Sequence, residues 1–158
     1  MKVVGIDIGV RGAVALLDDG ELIAAWDVPT LDDGPAGRRT INAPLLAIII
    51  EESHAAKAYV EHVGPRPGEG AVGAFAFGRA RGVVEGACAA RGIPITWLTA
   101  PQWKRLTNIP PGEAKDQARS EAIKRWPDRA RLFARKCDDG RAEAALIAVA
   151  GLLREKRL

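Results

Sequence analysis

The sequence predicts an α/β fold built on one mixed sheet of five strands, three antiparallel and then parallel, with helices on both faces. Two observations carry this. Three β-rich runs joined by turn signals fill residues 1–28, and after them apolar runs of strand length alternate with segments of helical composition. At 158 residues the chain is expected to form a single domain, 1–158, with a substantial core.

Val3 to Ile8 and Gly12 to Leu17 are separated by Gly9-Val10-Arg11, and Glu21 to Val28 follows Asp18-Asp19-Gly20, a hairpin signal. Pro29 to Thr40 is rich in Gly, Pro, Asp and Arg without apolar period and reads as an exposed loop. Ala43 to His54 reads as a helix packed on the sheet, and Ala58 to Val63 as a short buried strand. Gly64 to Gly73 reads as a flexible loop before a helix over Phe75 to Arg91. In that helix Gly78, Gly82, Gly86 and Ala90 recur every four positions, a stripe that predicts either a dimer seam or tight packing on the sheet. Ile93 to Leu98 is the fifth strand, Pro101 opens a short helix, and Gly112 to Trp126 forms a longer one stopped by Pro127. A final helix runs from about Asp139 to Glu155.

No apolar run approaches the roughly 18 residues a membrane span needs. The opening Met1 to Asp7 places a carboxylate inside the first apolar run, unlike a signal peptide, so a cytoplasmic protein is expected. Cys88 and Cys137 form no C-x-x-C pair and read as reduced packing residues. The net charge of +3 is unevenly placed: residues 1–100 hold 9 Lys/Arg against 12 Asp/Glu, residues 101–158 hold 14 against 8. A basic region beside a set of acids suits an enzyme of nucleic acids, where cations meet phosphates and carboxylates hold metal. A solvated helical surface accounts for any single basic residue equally well.

Asp7 lies within Val4-Gly5-Ile6-Asp7-Ile8-Gly9, where burial is costly for a carboxylate unless it is paired or bound to a cation. Glu61 closes the run Tyr59-Val60-Glu61 in the same way, although a strand-edge surface residue would look alike. Asp139 and Glu143 are four apart and share a helix face, where like charges repel unless a cation stands between them. The alternative is an Asp139 that caps the helix and a solvated Glu143. Carboxylates suit Mg²⁺ or Mn²⁺, and two such ions about 4 Å apart can promote phosphodiester hydrolysis. His54 and His62 have no metal-ligand spacing; His54 reads as helix surface, and His62 points to the strand face opposite Glu61.

In order along nearly the whole chain, these segments resemble the phage branch of the RuvC-type Holliday-junction resolvases, which have a ribonuclease H-like fold. Gly5-Ile6-Asp7-Ile8-Gly9 is similar to the first catalytic strand, Val60-Glu61-His62-Val63 to the second acid, and Phe77-Gly78-Arg79-Ala80-Arg81-Gly82 to the helix after the substrate loop. Asp139 to Ala144 is similar to the closing acidic helix. The resemblance implies a homodimer that makes paired nicks in four-way DNA junctions. It further implies that Asp7, Glu61, Asp139 and Glu143 are catalytic and bind two Mg²⁺ per site, with Mn²⁺ able to substitute. Pro101-Gln102-Trp103-Lys104 and Ala114-Lys115-Asp116 are similar to segments whose lysines lie near junction phosphates, which makes Lys104 and Lys115 DNA contacts, joined by Arg66, Arg79 and Arg81. The sequence departs from the family pattern in three ways. Glu143 stands where Asp is more usual; a three-residue spacing would fall on Gly140, which keeps Asp138 as a rival to Asp139; and the loop from Val63 to Gly73 lacks a junction-stacking aromatic.

Other functions share parts of this pattern. A broader nuclease of branched DNA or RNA/DNA hybrids would use the same acids. A non-catalytic junction-binding relative would keep the fold and have lost the metal, against which the presence of all four acids argues. An actin-like sugar kinase opens with a similar Gly-Ile-Asp-Ile-Gly strand but needs two related lobes, for which the chain is short.

Overall fold

The computed structural model of the chain describes residues 1–34, 37–64, 67–110 and 115–156, apart from the side chain of residue 115. In chain order the strands and α-helices are β1 (Lys2–Asp7), β2 (Ala13–Asp18), β3 (Glu21–Asp27), β4 (Thr30–Asp32), β5 (Arg39–Ile41), α1 (Ala43–Ser53), β6 (Lys57–Glu61), α2 (Ala71–Ala90), β7 (Ile95–Leu98), α3 (Ala100–Leu106), α4 (Lys115–Arg125) and α5 (Asp139–Glu155). The main sheet has the order β3-β2-β1-β6-β7. Its first three strands are antiparallel, and β6 and β7 add in parallel beside β1. The β2–β3 turn uses Asp19 and Gly20 at φ 48° and 91°, conformations that Asp and Gly adopt at lower cost than most residues.

Alternation along the strands divides the core into two layers. Val4, Ile6, Val14, Leu16, Ala58 and Val60 pack with Leu46 and Ile50 of α1 and with Val84 and Cys88 of α2. Val3, Ala15, Leu17 and Tyr59 face Leu146, Ile147 and Ala148 of α5, with α3 and α4 outside. Helix α1 starts where the Asn42 side chain accepts a hydrogen bond from the Leu45 backbone N–H, and ends at His54 in the left-handed region (φ 49°).

Helix α5 is pressed unusually close to the sheet. A methyl group on Gly5 would lie 2.0 Å from the Ala144 carbonyl oxygen and 2.9 Å from the Ala148 Cβ. At its two ends, α5 makes the same kind of approach through its own glycines, Gly140 against the Arg11 carbonyl and Gly151 against the Tyr59 ring.

Several expectations need correction. The segment 29–40 is not a plain loop, because β4 and β5 pair as a separate antiparallel hairpin. Helix α2 begins at Ala71, so it takes in the end of the expected loop 64–73, and β7 begins only at Ile95, beyond Gly92 and Pro94. Between α4 and α5, Pro127–Phe133 and Lys136–Asp138 form 3-10 turns, which bury Phe133 and Asp138. Cys88 is buried as expected, whereas Cys137 is exposed. The glycine stripe of α2 does not pack on the sheet: methyl groups at Gly78, Gly82 and Gly86 would all meet open space. Residues 111–114, the expected start of the 112–126 helix, lie outside the described residues. Among the described residues, no helix is long and apolar enough to cross a membrane.

Substituting Gly5→Ala should displace α5. Overpacking of this kind costs about 3 kcal/mol or more when the obstacle is backbone, which lowers Tm by roughly 10 °C in a chain of this size. A melting curve by circular dichroism that matches wild type would show that the helix can retreat without cost.

Candidate active site

The parallel pairing of β1 and β6 places Gly5 beside Tyr59 and Ile6 beside Val60, so Asp7 and Glu61 come next to each other where both strands end. Because side chains alternate, these two acids share the face that Gly5 and Tyr59 present to α5. Gly140 seats the first turn of α5 against the β1–β2 connection at Arg11 and Gly12. Asp139 and Glu143, one helical turn apart, are thereby brought to Asp7.

Protein surrounds Asp7 on nearly all sides while leaving an opening to solvent. Its pKa lies well above the ordinary carboxylate range, first because burial penalises the charge, then because Glu143, Glu61 and Asp139 repel it and Glu61 shares a hydrogen bond with it. The structure thus gathers all four acids singled out in the sequence, from two strands and one helix.

Asp138, the rival, does something else. It is 2% exposed, accepts hydrogen bonds from the backbone and guanidinium of Arg135, and lies 3.9 Å from Arg141. Burial pushes its pKa up, but those hydrogen bonds and the Arg135 and Arg141 charges outweigh it and hold the carboxyl below its ordinary value. Asp138 therefore anchors the entry to α5, while Asp139 belongs to the cluster.

One contact had no signal in strand or helix periodicity. The indole Nε1–H of Trp103, 1% exposed on α3, donates to Glu61 Oε1 at 3.2 Å. Only the position of Trp103 beside Lys104, in a segment already linked to phosphate contact, hinted at it. Lys104, half-buried on the same turn, has its Nζ 5.5 Å from the Trp103 ring centre. A cleft of about 290 Å³ opens beside Glu61, lined by His62, Phe77, Thr99 and Pro101 among others. A larger hollow of about 550 Å³ lies along the edge strand β3, between Glu21 and Arg129, and includes none of the four acids.

The remaining candidates are dispersed. Arg81 stacks on Trp97 with its guanidinium carbon 4.4 Å from the ring centre and pairs with Glu85, on the sheet face opposite the acids. His62 also meets Trp97 there, as its strand parity predicts. Arg79 pairs with Asp33 of the segment joining β4 to β5. Arg66 and the side chain of Lys115 lie outside the described residues.

Four carboxylates around a buried strand position form a donor set of hard oxygens, which suits Mg²⁺ or Mn²⁺ and not a soft metal. Among the described residues, no three His, Cys, Asp or Glu side chains stand in a ready-made ligand cage. Here Asp7 and Glu61 satisfy each other through their hydrogen bond.

A mixed sheet in this strand order, helices on both sides and acids at the ends of β1 and β6 define a ribonuclease H-like fold. Comparison with solved structures finds the same fold in RuvC. Thermus thermophilus RuvC in complex with a Holliday junction substrate superposes with a TM-score of 0.69 at 19% sequence identity, covering 99% of this chain and 96% of that one. A second structure of Thermus thermophilus RuvC gives 0.59 at 17% identity, with the same coverage. At these identities the likeness is one of fold. No protein-family model matches the chain, and no curated protein matches its sequence.

The two aspartates have opposite consequences for stability. With its folded-state pKa raised, Asp7 favours folding while protonated, and that contribution is lost as pH rises through the raised value. Asp7→Asn should therefore melt higher than wild type at neutral pH in EDTA, with the gain vanishing towards about pH 4. Equal melting at pH 7 would contradict the repulsion. Asp138, with its pKa lowered, contributes stability above the unfolded value and loses it as pH falls through the folded one. Asp138→Asn should melt lower at neutral pH, the difference closing in acid; a constant difference across pH would mean the ion pair is not its source.

Proposed function

We propose that this chain is a divalent-metal-dependent endonuclease that resolves four-way DNA junctions by paired nicks. The observation that carries the reading is the convergence of Asp7, Glu61, Asp139 and Glu143 on one face of the sheet. Carboxylates gathered this closely disfavour the charged state of the buried Asp7, a cost expected where cation binding is the purpose. The likeness to a RuvC structure bound to a Holliday junction supports the substrate class.

In this reading the four acids hold Mg²⁺ or Mn²⁺. Two such ions, when bound, supply Lewis-acid polarisation of the phosphodiester and offset the charge that develops during its hydrolysis. Asp7 and Glu61 hold the site from the rigid strand ends, and Asp139 and Glu143 close it from α5. Lys104, next in the chain to the residue that bonds Glu61, meets a backbone phosphate near the cut. Lys115, Arg66, Arg79 and Arg81 extend the phosphate contacts, with the last two first having to leave Asp33 and Glu85.

Two symmetric nicks require two sites, and a homodimer supplies them. The surface that supports one is formed by α1 and α2, where Leu45, Ile48, Val72 and Phe75 are exposed and the glycine stripe is open to close approach.

The test is incubation with a labelled four-way junction, a linear duplex, a replication fork and an RNA/DNA hybrid, with Mg²⁺ or EDTA, product lengths being read at nucleotide resolution. Paired junction nicks that vanish with EDTA and in Asp7→Asn are expected. Faster cutting of the fork or hybrid would keep the chemistry and overturn the substrate; tight junction binding by a folded dimer with no cleavage of any substrate would leave a binding protein. Lys104→Ala should weaken junction binding and flatten its salt dependence by about one counterion.

A further inference from the structure

Trp103 is buried in the core layer that holds Leu98, Phe133 and Ala145, where any large apolar side chain would fill the space. Its one polar atom, the indole N–H, can only donate, and when buried needs an acceptor. That acceptor is Oε1 of Glu61, at 3.2 Å, not a backbone carbonyl.

The geometry of this pair is one-sided. Glu61 is a three-torsion side chain at the end of a strand, partly exposed beside a cleft, and it loses considerable rotamer freedom when held in one place. The indole is already immobile in the core. The start of α3 is itself held, since the Thr99 backbone N–H donates to the Gln102 side chain, while the Thr107 hydroxyl donates to the Trp103 carbonyl at the other end. The rigid partner therefore sets the position of the flexible one.

We propose that Trp103 is a positioning residue for Glu61: its Nε1–H holds the carboxylate in the rotamer that faces Asp7 and so raises the affinity of the four-acid site for divalent cations. This rests on the metal-dependent nuclease reading above. Lys104 follows directly in the chain, so the helix that fixes Glu61 also carries a candidate phosphate contact. A shift of α3 moves both.

The experiment is a calorimetric titration of the full chain with Mn²⁺ in the absence of DNA, for wild type, Trp103→Phe and Asp7→Asn. Trp103→Phe keeps an aromatic ring in the core and removes the donor. Its Kd for Mn²⁺ should rise by about tenfold or more, in the range seen when an outer hydrogen-bond partner of a metal ligand is lost. On a junction its kcat should fall at limiting metal and recover at high metal, with KM for the junction unchanged. If Trp103→Phe binds Mn²⁺ and cuts like wild type, the proposal is overturned and the nuclease reading stands. Failure of wild type to bind Mn²⁺ or to cut would overturn both. Should Trp103→Phe fail to fold, the ¹⁵N-indole resonance of Trp103 in the wild-type chain decides. It should move on saturation with Mg²⁺ and in Glu61→Gln; a resonance indifferent to both overturns the proposal.

Discussion

Everything at the candidate site depends on how closely one helix lies on one strand. Helix α5 crosses β1 at Gly5, where even a methyl group would overlap the Ala144 carbonyl. Its own glycines give it the same closeness at both ends, over Arg11 and over the Tyr59 ring. Small residues at this seam let backbones approach to a distance that larger side chains would forbid. Asp139 and Glu143 can therefore act electrically on Asp7, a residue of the strand beneath.

That closeness carries a cost in stability. Asp7, half enclosed at its strand end, is repelled by the three acids around it, and burial strengthens the repulsion. The fold offsets this with features that have nothing to do with chemistry, namely two apolar layers and the Asp138–Arg135 pair at the start of α5. Adjacent aspartates thus have different roles: Asp138 is held by Arg135, whereas Asp139 adds its charge to those around Asp7.

Much of this was legible in the sequence, and the gaps have physical causes. The meander, the later strands and α5 follow from periods of two and of about 3.6, which are local properties. Asp7 and Glu61 stood out because a charge inside an apolar run is costly to bury unless a partner or a cation meets it there. The β4–β5 hairpin left little mark, since a three-residue strand is too short for alternation to show, and its flanking Gly and Asp look like loop. The stripe on α2 was visible, but whether it faces a sheet or solvent depends on packing. Choosing between Asp138 and Asp139 required the Arg135 contact. The Trp103–Glu61 bond joins residues 42 apart in the chain, and no local pattern encodes it.

The seating of α5 on β1 also bears on the order in which the chain is made. The acid group begins at residue 7 and is completed only at residue 143, so a nascent chain carries Asp7 and Glu61 without Asp139 and Glu143 until α5 has been made. During that time β1 lacks its α5 cover, and the layer around Val3, Ala15 and Tyr59 stays open. Docking of α5 closes that layer and assembles the acids in one event. A chain that has not yet docked α5 thus lacks both the cover of that layer and two of the four acids.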